Sequence, residues 1–468
     1  MNPFKMVVLI AMIGMTLLPS FTMATSPVPV VLIQGDRLTM DAKNQKLSTI
    51  LERLSEQGIR IRIDPRINPT VTASFDNRPI GAAIASILKS VDYALIWRKD
   101  KASTAKEPTL WEIRIFYKGQ ETRIQPLKKS ANLILTPKKD GTYHVKDVLL
   151  IRLDPNMTKA ALATLLDRLG ATIIDAYSPL GIVRLRLPHG SDVPAIAKSI
   201  AGYPGVQTAE PDYAYPLEGG SPAPGGTWPA ASPPTRPPST GAAIVAVMDS
   251  GLLPDFASSP FVQAAYDAVS PGAEVGDELG HGTQMALIAA GAVNPLGAGS
   301  ESPAGSPVIA IRAFDDNGFT STYTLMRGID YAVQQGARVL SLSWGSETSS
   351  ALLESATRYA AAKGLILVAA AGNAPTGDPV YPAAYDNVIG VGALTPDGNA
   401  WEQSNYGDFV AVSAPGLANL PVGYNGDPGT YAGTSIATAY TARRVAAILN
   451  QNPDADRATI LRILGEGK

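Results

Sequence analysis

Two uninterrupted apolar runs, Ile244-Val245-Ala246-Val247-Met248 and Leu365-Ile366-Leu367-Val368-Ala369-Ala370-Ala371, constrain this chain more than any other feature. Neither alternates with polar residues, so each strand has to be covered on both faces, as in a parallel sheet flanked by helices. Residues 241–468 alternate such runs with helix-compatible stretches. That order predicts an α/β domain of βαβ crossovers, with a mostly parallel sheet and helices on both faces. Reactive side chains of such sheets collect where strands end. The first run ends in Asp249, and the second leads into Gly372-Asn373.

Upstream, the pattern changes to small α+β units. Within 27–98, Ile59, Ile61 and Ile63 fall on one face of a strand, and Leu47, Ile50, Leu51 and Leu54 follow helical spacing. A core explains these positions without a catalytic site. Residues 99–145, rich in Lys, Thr and Pro, read as a connector with one strand-like run, Trp111 to Phe116. From 146 to 216 a βαββαβ order predicts a ferredoxin-like fold, with Thr158 capping a helix that Gly170 ends. Residues 217–240 are dense in Pro and Gly, so they read as an exposed linker and a place to be cut.

The first 24 residues carry Lys5, the apolar run Met6 to Leu18 and small residues up to Ala24, the order of a secretory leader. Export, to the periplasm or beyond, follows from that reading. The 468 residues contain no cysteine, so an exported chain would rely on its cores and has no thiol nucleophile. A formal net charge of −2 without a basic run argues against a nucleic-acid partner.

Four positions in 241–468 carry chemistry. Asp249 sits at a strand end, where a buried carboxylate can orient an imidazole. His281 precedes Gly282-Thr283 and an apolar helix; the other two histidines, His144 and His189, sit in polar, loop-like contexts. Asn373 can donate to an oxyanion. Ser435 follows Gly433-Thr434 at the start of a helix-compatible run, where the helix N-terminus favours developing negative charge. Each alone reads equally as a turn or capping residue. In this order they read as a nucleophilic hydrolase.

Asp249-Ser250-Gly251, His281-Gly282-Thr283 and Gly433-Thr434-Ser435 resemble the motifs of the subtilisin-like serine peptidases, with Asn373 at the family's oxyanion asparagine. The resemblance covers about 241–468 and implies an endopeptidase acting on protein or peptide substrates through Asp249, His281 and Ser435. It implies that Ser343-Trp344-Gly345 form the substrate-binding strand and that Val380 shortens the primary pocket toward small or medium apolar side chains. It further implies that 146–216 are a propeptide that inhibits in cis and is cut away within 214–241. Leu287 and Ala439 depart from the family's usual glycine and proline. No cofactor is expected for the chemistry, and a structural calcium is compatible with the resemblance, although the spacing exposes no site for one. Residues 27–98 resemble the short N-terminal domain of secretins and TonB-dependent receptors, which implies an envelope partner. Two rival readings are an inactive binding or assembly module of the envelope and a different hydrolase with the same triad.

Overall fold

The computed structural model describes residues 30–34, 36–56, 59–64, 66–98, 109–121, 124–126, 132–137, 141–217, 221–222, 241–299, 304–423 and 428–466. The expected leader and most of the expected linker lie outside them. The chain divides into two compact units after residue 130.

The first unit contains β1 (Val30–Gln34), β2 (Arg37–Lys46), α1 (Leu47–Glu56), β3 (Arg60–Ile63), β4 (Thr70–Pro79), α2 (Ile80–Ile87), β5 (Asp92–Arg98), β6 (Thr109–Phe116) and β7 (Gln125–Pro126). They form two sheets, ordered β1-β2-β4 and β5-β6-β3-β7. Ile50, Leu51 and Leu54 of α1 share one core with Ile61, Ile63, Ile113 and Ile115. The stretch 99–145 is therefore not a connector throughout. Its strand-like run is β6, which pairs with both β3 and β5, so its alternating Ile113 and Ile115 complete this core.

The second unit opens with β8 (Leu135–Pro137), β9 (Tyr143–Leu153), α3 (Lys159–Leu169), β10 (Thr172–Tyr177), β11 (Ile182–Arg186), α4 (Val193–Ile200) and β12 (Val206–Pro216). The antiparallel order β10-β11-β9-β12 is that of a ferredoxin-like sheet. Thr158 caps α3 by accepting from Ala161 N at 3.1 Å, and Gly170 ends it in the left-handed conformation. Two details differ from the sequence reading. His144 lies buried in β9, where strand pairing encloses it, not in a loop. The last strand, expected over 205–207, runs on to Pro216, paired with β9 as far as Ala214 and with β17 from Ala214 to Pro216.

A short β13 (Ser221–Pro222) precedes β14 (Val245–Asp249), α5 (Pro254–Ala257), β15 (Val262–Asp267), α6 (His281–Ala289), β16 (Val308–Arg312) and β17 (Phe319–Ser321). Then come α7 (Thr322–Gln334), β18 (Val339–Leu342), α8 (Ala351–Ala362), β19 (Ile366–Ala370), β20 (Val388–Leu394) and β21 (Val410–Pro415). The chain continues through β22 (Leu417–Leu420), β23 (Gly429–Ala432), α9 (Thr434–Gln451) and α10 (Arg457–Glu466). Seven strands form one parallel sheet, β15-β16-β14-β18-β19-β20-β21. Strand alternation explains the unbroken apolar runs. Val245 and Val247 enter one core with residues of α6, α9 and α10, while Ala246 and Met248 enter the opposite core with residues of α7 and α8.

Candidate active site

The site is built at the C-terminal edge of that sheet. Asp249 ends β14 with a buried side chain, and His281 opens α6. His281 Nδ1 lies 2.7 Å from Asp249 Oδ1, which also accepts from Ser250 N at 2.7 Å. An ionised carboxylate only accepts, so Nδ1 carries the proton and the ring is locked in one tautomer. Burial pushes the imidazole pKa down, but the charge and hydrogen bond of Asp249 and the charge of Asp277 outweigh it, leaving it above 6.5.

Two glycines allow this approach. Gly251 has φ +126°, and a Cβ there would lie 1.9 Å from the Gly276 carbonyl. A Cβ on Gly282 would lie 2.4 Å from Gly251 O and 2.5 Å from Gly251 N. A side chain at Gly282 pushes the first turn of α6, and His281 with it, away from Gly251 at the end of β14, and one at Gly251 collides with the Gly276 backbone.

Asp277, which motif reading missed, ties the same corner together. Its Oδ1 accepts from Ser250 Oγ at 2.7 Å and Gly280 N at 2.8 Å, and its Oδ2 from Thr283 N at 2.8 Å and Thr283 Oγ1 at 2.6 Å. The usable signal was an acidic residue just ahead of a helix start with Thr at its third position.

Ser435 lies in the first turn of α9. Its hydroxyl donates to the Ser343 carbonyl at 3.0 Å, and Ser343 Oγ donates back to the Ser435 carbonyl at 3.3 Å. The β14–β18 register pairs Val245 with Val339 and Val247 with Ser341, so Asp249 at the end of β14 and Ser343 just past β18 lie at the same end of neighbouring strands. Adjacent strands are about 4.8 Å apart, which brings the Asp249–His281 pair and the Ser343–Ser435 pair to one edge. Asn373 follows β19, and its Oδ1 accepts from both Thr434 N and Thr434 Oγ1 at 2.9 Å. That pair of bonds turns the NH2 end of the amide away from Thr434.

Gly345 packs against Val380, for a Cβ on it would sit 2.3 Å from Val380 Cγ1. Ser346 and Tyr381 exchange backbone hydrogen bonds of 2.8 and 2.9 Å beside them. The loop leading there is held by Asn405, also missed by motif reading. Its amide donates to Ala371 O and Asp378 O and accepts from Gly377 N and Tyr406 N. Trp344 is not an open wall; it is buried, its ring 5.8 Å from Tyr215 of β12.

That contact reflects how the ferredoxin-like domain docks. Ala214, Tyr215 and Pro216 pair with Ser321, Thr320 and Phe319, and Leu217 N donates to Gly318 O at 2.7 Å. Ser221 and Pro222 then pair with Ala432 and Tyr431, just before Ser435. Two carboxylates on β12 face helix starts of the α/β domain, where backbone N–H groups favour anions. Asp212 accepts from Tyr323 N on α7 and from Arg184, while Glu210 accepts from Ser350 Oγ and Ala351 N on α8. Burial pushes the Glu210 carboxyl up to about 7, against those hydrogen bonds.

Residues 240–465 match the Subtilase family, and residues 131–212 match the fervidolysin N-terminal prodomain. Thermitase of Thermoactinomyces vulgaris is 36% identical over 204 residues, 43% of this chain and 72% of thermitase. The minor extracellular protease Epr of Bacillus subtilis (strain 168) is 34% identical over 210 residues, 45% of this chain but 32% of Epr, so the chain spans about a third of that relative. The crystal structure of fervidolysin from Fervidobacterium pennivorans, a keratinolytic enzyme related to subtilisin, shares the fold with a TM-score of 0.52 at 23% identity. The match covers 70% of this chain and 58% of fervidolysin. With a parallel seven-stranded sheet, a ferredoxin-like domain docked on it and these matches, the chain belongs to the subtilase family of serine endopeptidases and carries a fervidolysin-type prodomain.

Proposed function

We propose that this chain is an exported serine endopeptidase, made as a zymogen that processes itself through Asp249, His281 and Ser435. Ser435 Oγ attacks the scissile carbonyl, His281 Nε2 takes the proton and returns it to the leaving amine, and Asp249 holds Nδ1–H. The Asn373 NH2 group and the Ser435 backbone N–H receive the oxyanion. Attack requires the Ser435 hydroxyl to leave the Ser343 carbonyl. Ser343, Trp344, Gly345 and Val380 line the substrate strand and primary pocket, with Val380 favouring small or medium apolar residues before the cut.

The observation that carries this reading is the path of the chain. Leu217 is bonded to Gly318, beside β17, and Ser221 to β23, the strand that leads into Ser435, so the stretch after the prodomain is held next to the approach to the nucleophile, within the 214–241 expected to be cut. The prodomain is the intramolecular inhibitor until that cut, and the separate first unit, by its resemblance to the secretin and TonB-receptor N-terminal domain, docks on an envelope partner. The chemistry needs no cofactor. A structural calcium would lean on backbone carbonyls, since among the described residues no group of three His, Asp or Glu side chains is arranged to hold a metal ion.

Fluorophosphonate labelling of the purified chain, followed by peptide mapping, tests the assignment. Modification confined to Ser435 and lost in His281→Ala supports it. An unlabelled chain would favour the inactive binding or assembly module instead.

A further inference from the structure

At the edge of the parallel sheet opposite the Asp249–His281 pair, a cleft of about 410 Å³ opens beside the start of α10. Arg338 lines it just before β18, Leu365 and Ile366 at the start of β19, and Asn387 just before β20, so it lies at the N-terminal ends of three neighbouring strands. Arg457 faces them from the first turn of α10. Arg338 Nη2 donates to Pro453 O at 2.6 Å, and Arg457 Nη2 donates to Val388 O at 3.0 Å. Those bonds fix both guanidiniums but neutralise neither, and among the described residues neither arginine is in an ion pair. Arg457 Nε and Asn387 Nδ2 are buried donors with no hydrogen-bond partner among the described residues, although Asn387 Oδ1 accepts from Thr357 Oγ1 at 3.3 Å.

We propose that this cleft binds a small organic anion, its carboxylate or phosphate head on Arg338, Arg457 and Asn387 and its apolar body against Leu365, Ile366 and Ala455. The site is separate from Ser435, and the proposal does not depend on the peptidase reading. A buried donor without an acceptor costs stability, and an oxyanion supplies acceptors to these donors while it neutralises guanidinium charge. The guanidinium fork is the side chain best matched to a carboxylate or phosphate. The volume falls in the range of small-molecule sites, about 300–1,000 Å³, and is far above the roughly 30 Å³ that one water takes up. Two carboxylates share the cleft. Asp456 is engaged by Thr459 N at 2.8 Å as the cap of α10, and Asp454 is exposed. With two charges of each sign, long-range attraction is slight, so the choice of ligand falls to the placed donors. A bound anion ties the start of α10 to β18, β19 and β20 and stabilises the folded domain by mass action.

The test is calorimetric titration of the full-length chain carrying Ser435→Ala, which removes self-digestion. The probes are phenyl phosphate, 3-phenylpropionate and inorganic phosphate at constant ionic strength. At least one of the two aromatic anions is expected to bind with a Kd on the order of 1 mM, and inorganic phosphate about tenfold more weakly. The aromatic anion that binds the tighter names the head group. Asn387→Asp keeps the acceptor for Thr357 but puts a negative charge where the amide donates, and it should abolish binding; Arg457→Gln should weaken it about tenfold. Thermal melts of the same proteins show that each is folded, and about 10 mM of the binding anion should raise the Tm of the parent by about 2–4 °C. The comparison among the three anions stands whether or not either variant folds. Neither heat nor a Tm shift with the aromatic anions would mean that the cleft holds water only, and would overturn the proposal. Binding that is unchanged in both variants, or inorganic phosphate held as tightly as the aromatic anions, would overturn it equally.

Discussion

Ser250 Oγ donates to Asp277 Oδ1 at 2.7 Å while accepting from Gly282 N at 2.8 Å. This serine therefore joins the strand end that carries Asp249 to the helix start that carries His281. Asp277 closes the link through Gly280 and Thr283, and its charge helps to raise the His281 pKa.

Asp277→Asn is expected to move the acid limb of the pH–rate profile. In the natural enzyme activity should rise as His281 loses its proton, with a midpoint above 6.5, because Asp249 and Asp277 favour the charged ring over the cost of burial. Removing one negative charge lowers that midpoint. A profile of kcat/KM from about pH 5 to about pH 9 reads it directly, and an acid limb that stays in place would show that Asp277 only holds the backbone.

Gly282→Ala should be far more damaging than its size suggests. The added methyl meets backbone atoms 2.4 and 2.5 Å away, which cannot swing aside as a side chain would. A loss of about 3 kcal/mol in stability is expected, together with most of the activity, as α6 shifts from β14. Gly465→Ala in α10 is the matched control. Nothing lies within 4 Å of its Cβ position, so it should be neutral or stabilise by about 0.5–1 kcal/mol. Similar thermal shifts for the two would count against the packing argument.

Glu210 makes the docked prodomain sensitive to pH. Its carboxyl rises from 4.5 to about 7 on burial, so the docked state binds a proton that the free state releases. The contribution is full below about 4.5 and is lost as pH rises through about 7. In the uncut Ser435→Ala chain, the stability difference from the Ser435→Ala, Glu210→Gln double variant should shrink across that window. Thermal melts of both proteins at matched pH values decide it, and a difference that grows with pH would reverse the sign.

The candidate residues stood out in the sequence because local motifs mark them: Asp249 stands where an apolar run stops, while His281 and Ser435 stand where helices begin. The seven-stranded sheet was legible in the apolar runs, since Val245 to Met248 must alternate between two cores. What stayed hidden depends on distant partners. The tail of β12 looked like the end of a strand at Gln207, because its continuation is set by pairing, first with the start of β9 and then with β17 more than a hundred residues later. The burial of Trp344 against Tyr215 of β12 is likewise a contact between residues far apart in the chain. In the same way β6 read as one strand-like run inside a connector, and only its pairing with β3 makes it a core strand. Asp277 and Asn405 carry no motif; only their hydrogen bonds reveal what they hold.

Intact mass of the exported chain, natural against Ser435→Ala, tests the central claim most directly. The account predicts that the natural chain is cut within residues 214–241, the stretch that follows the docked prodomain, and that the variant stays uncut there. A natural chain that remains whole under conditions where it is folded, or a variant cut at the same bond, would contradict self-processing by Ser435.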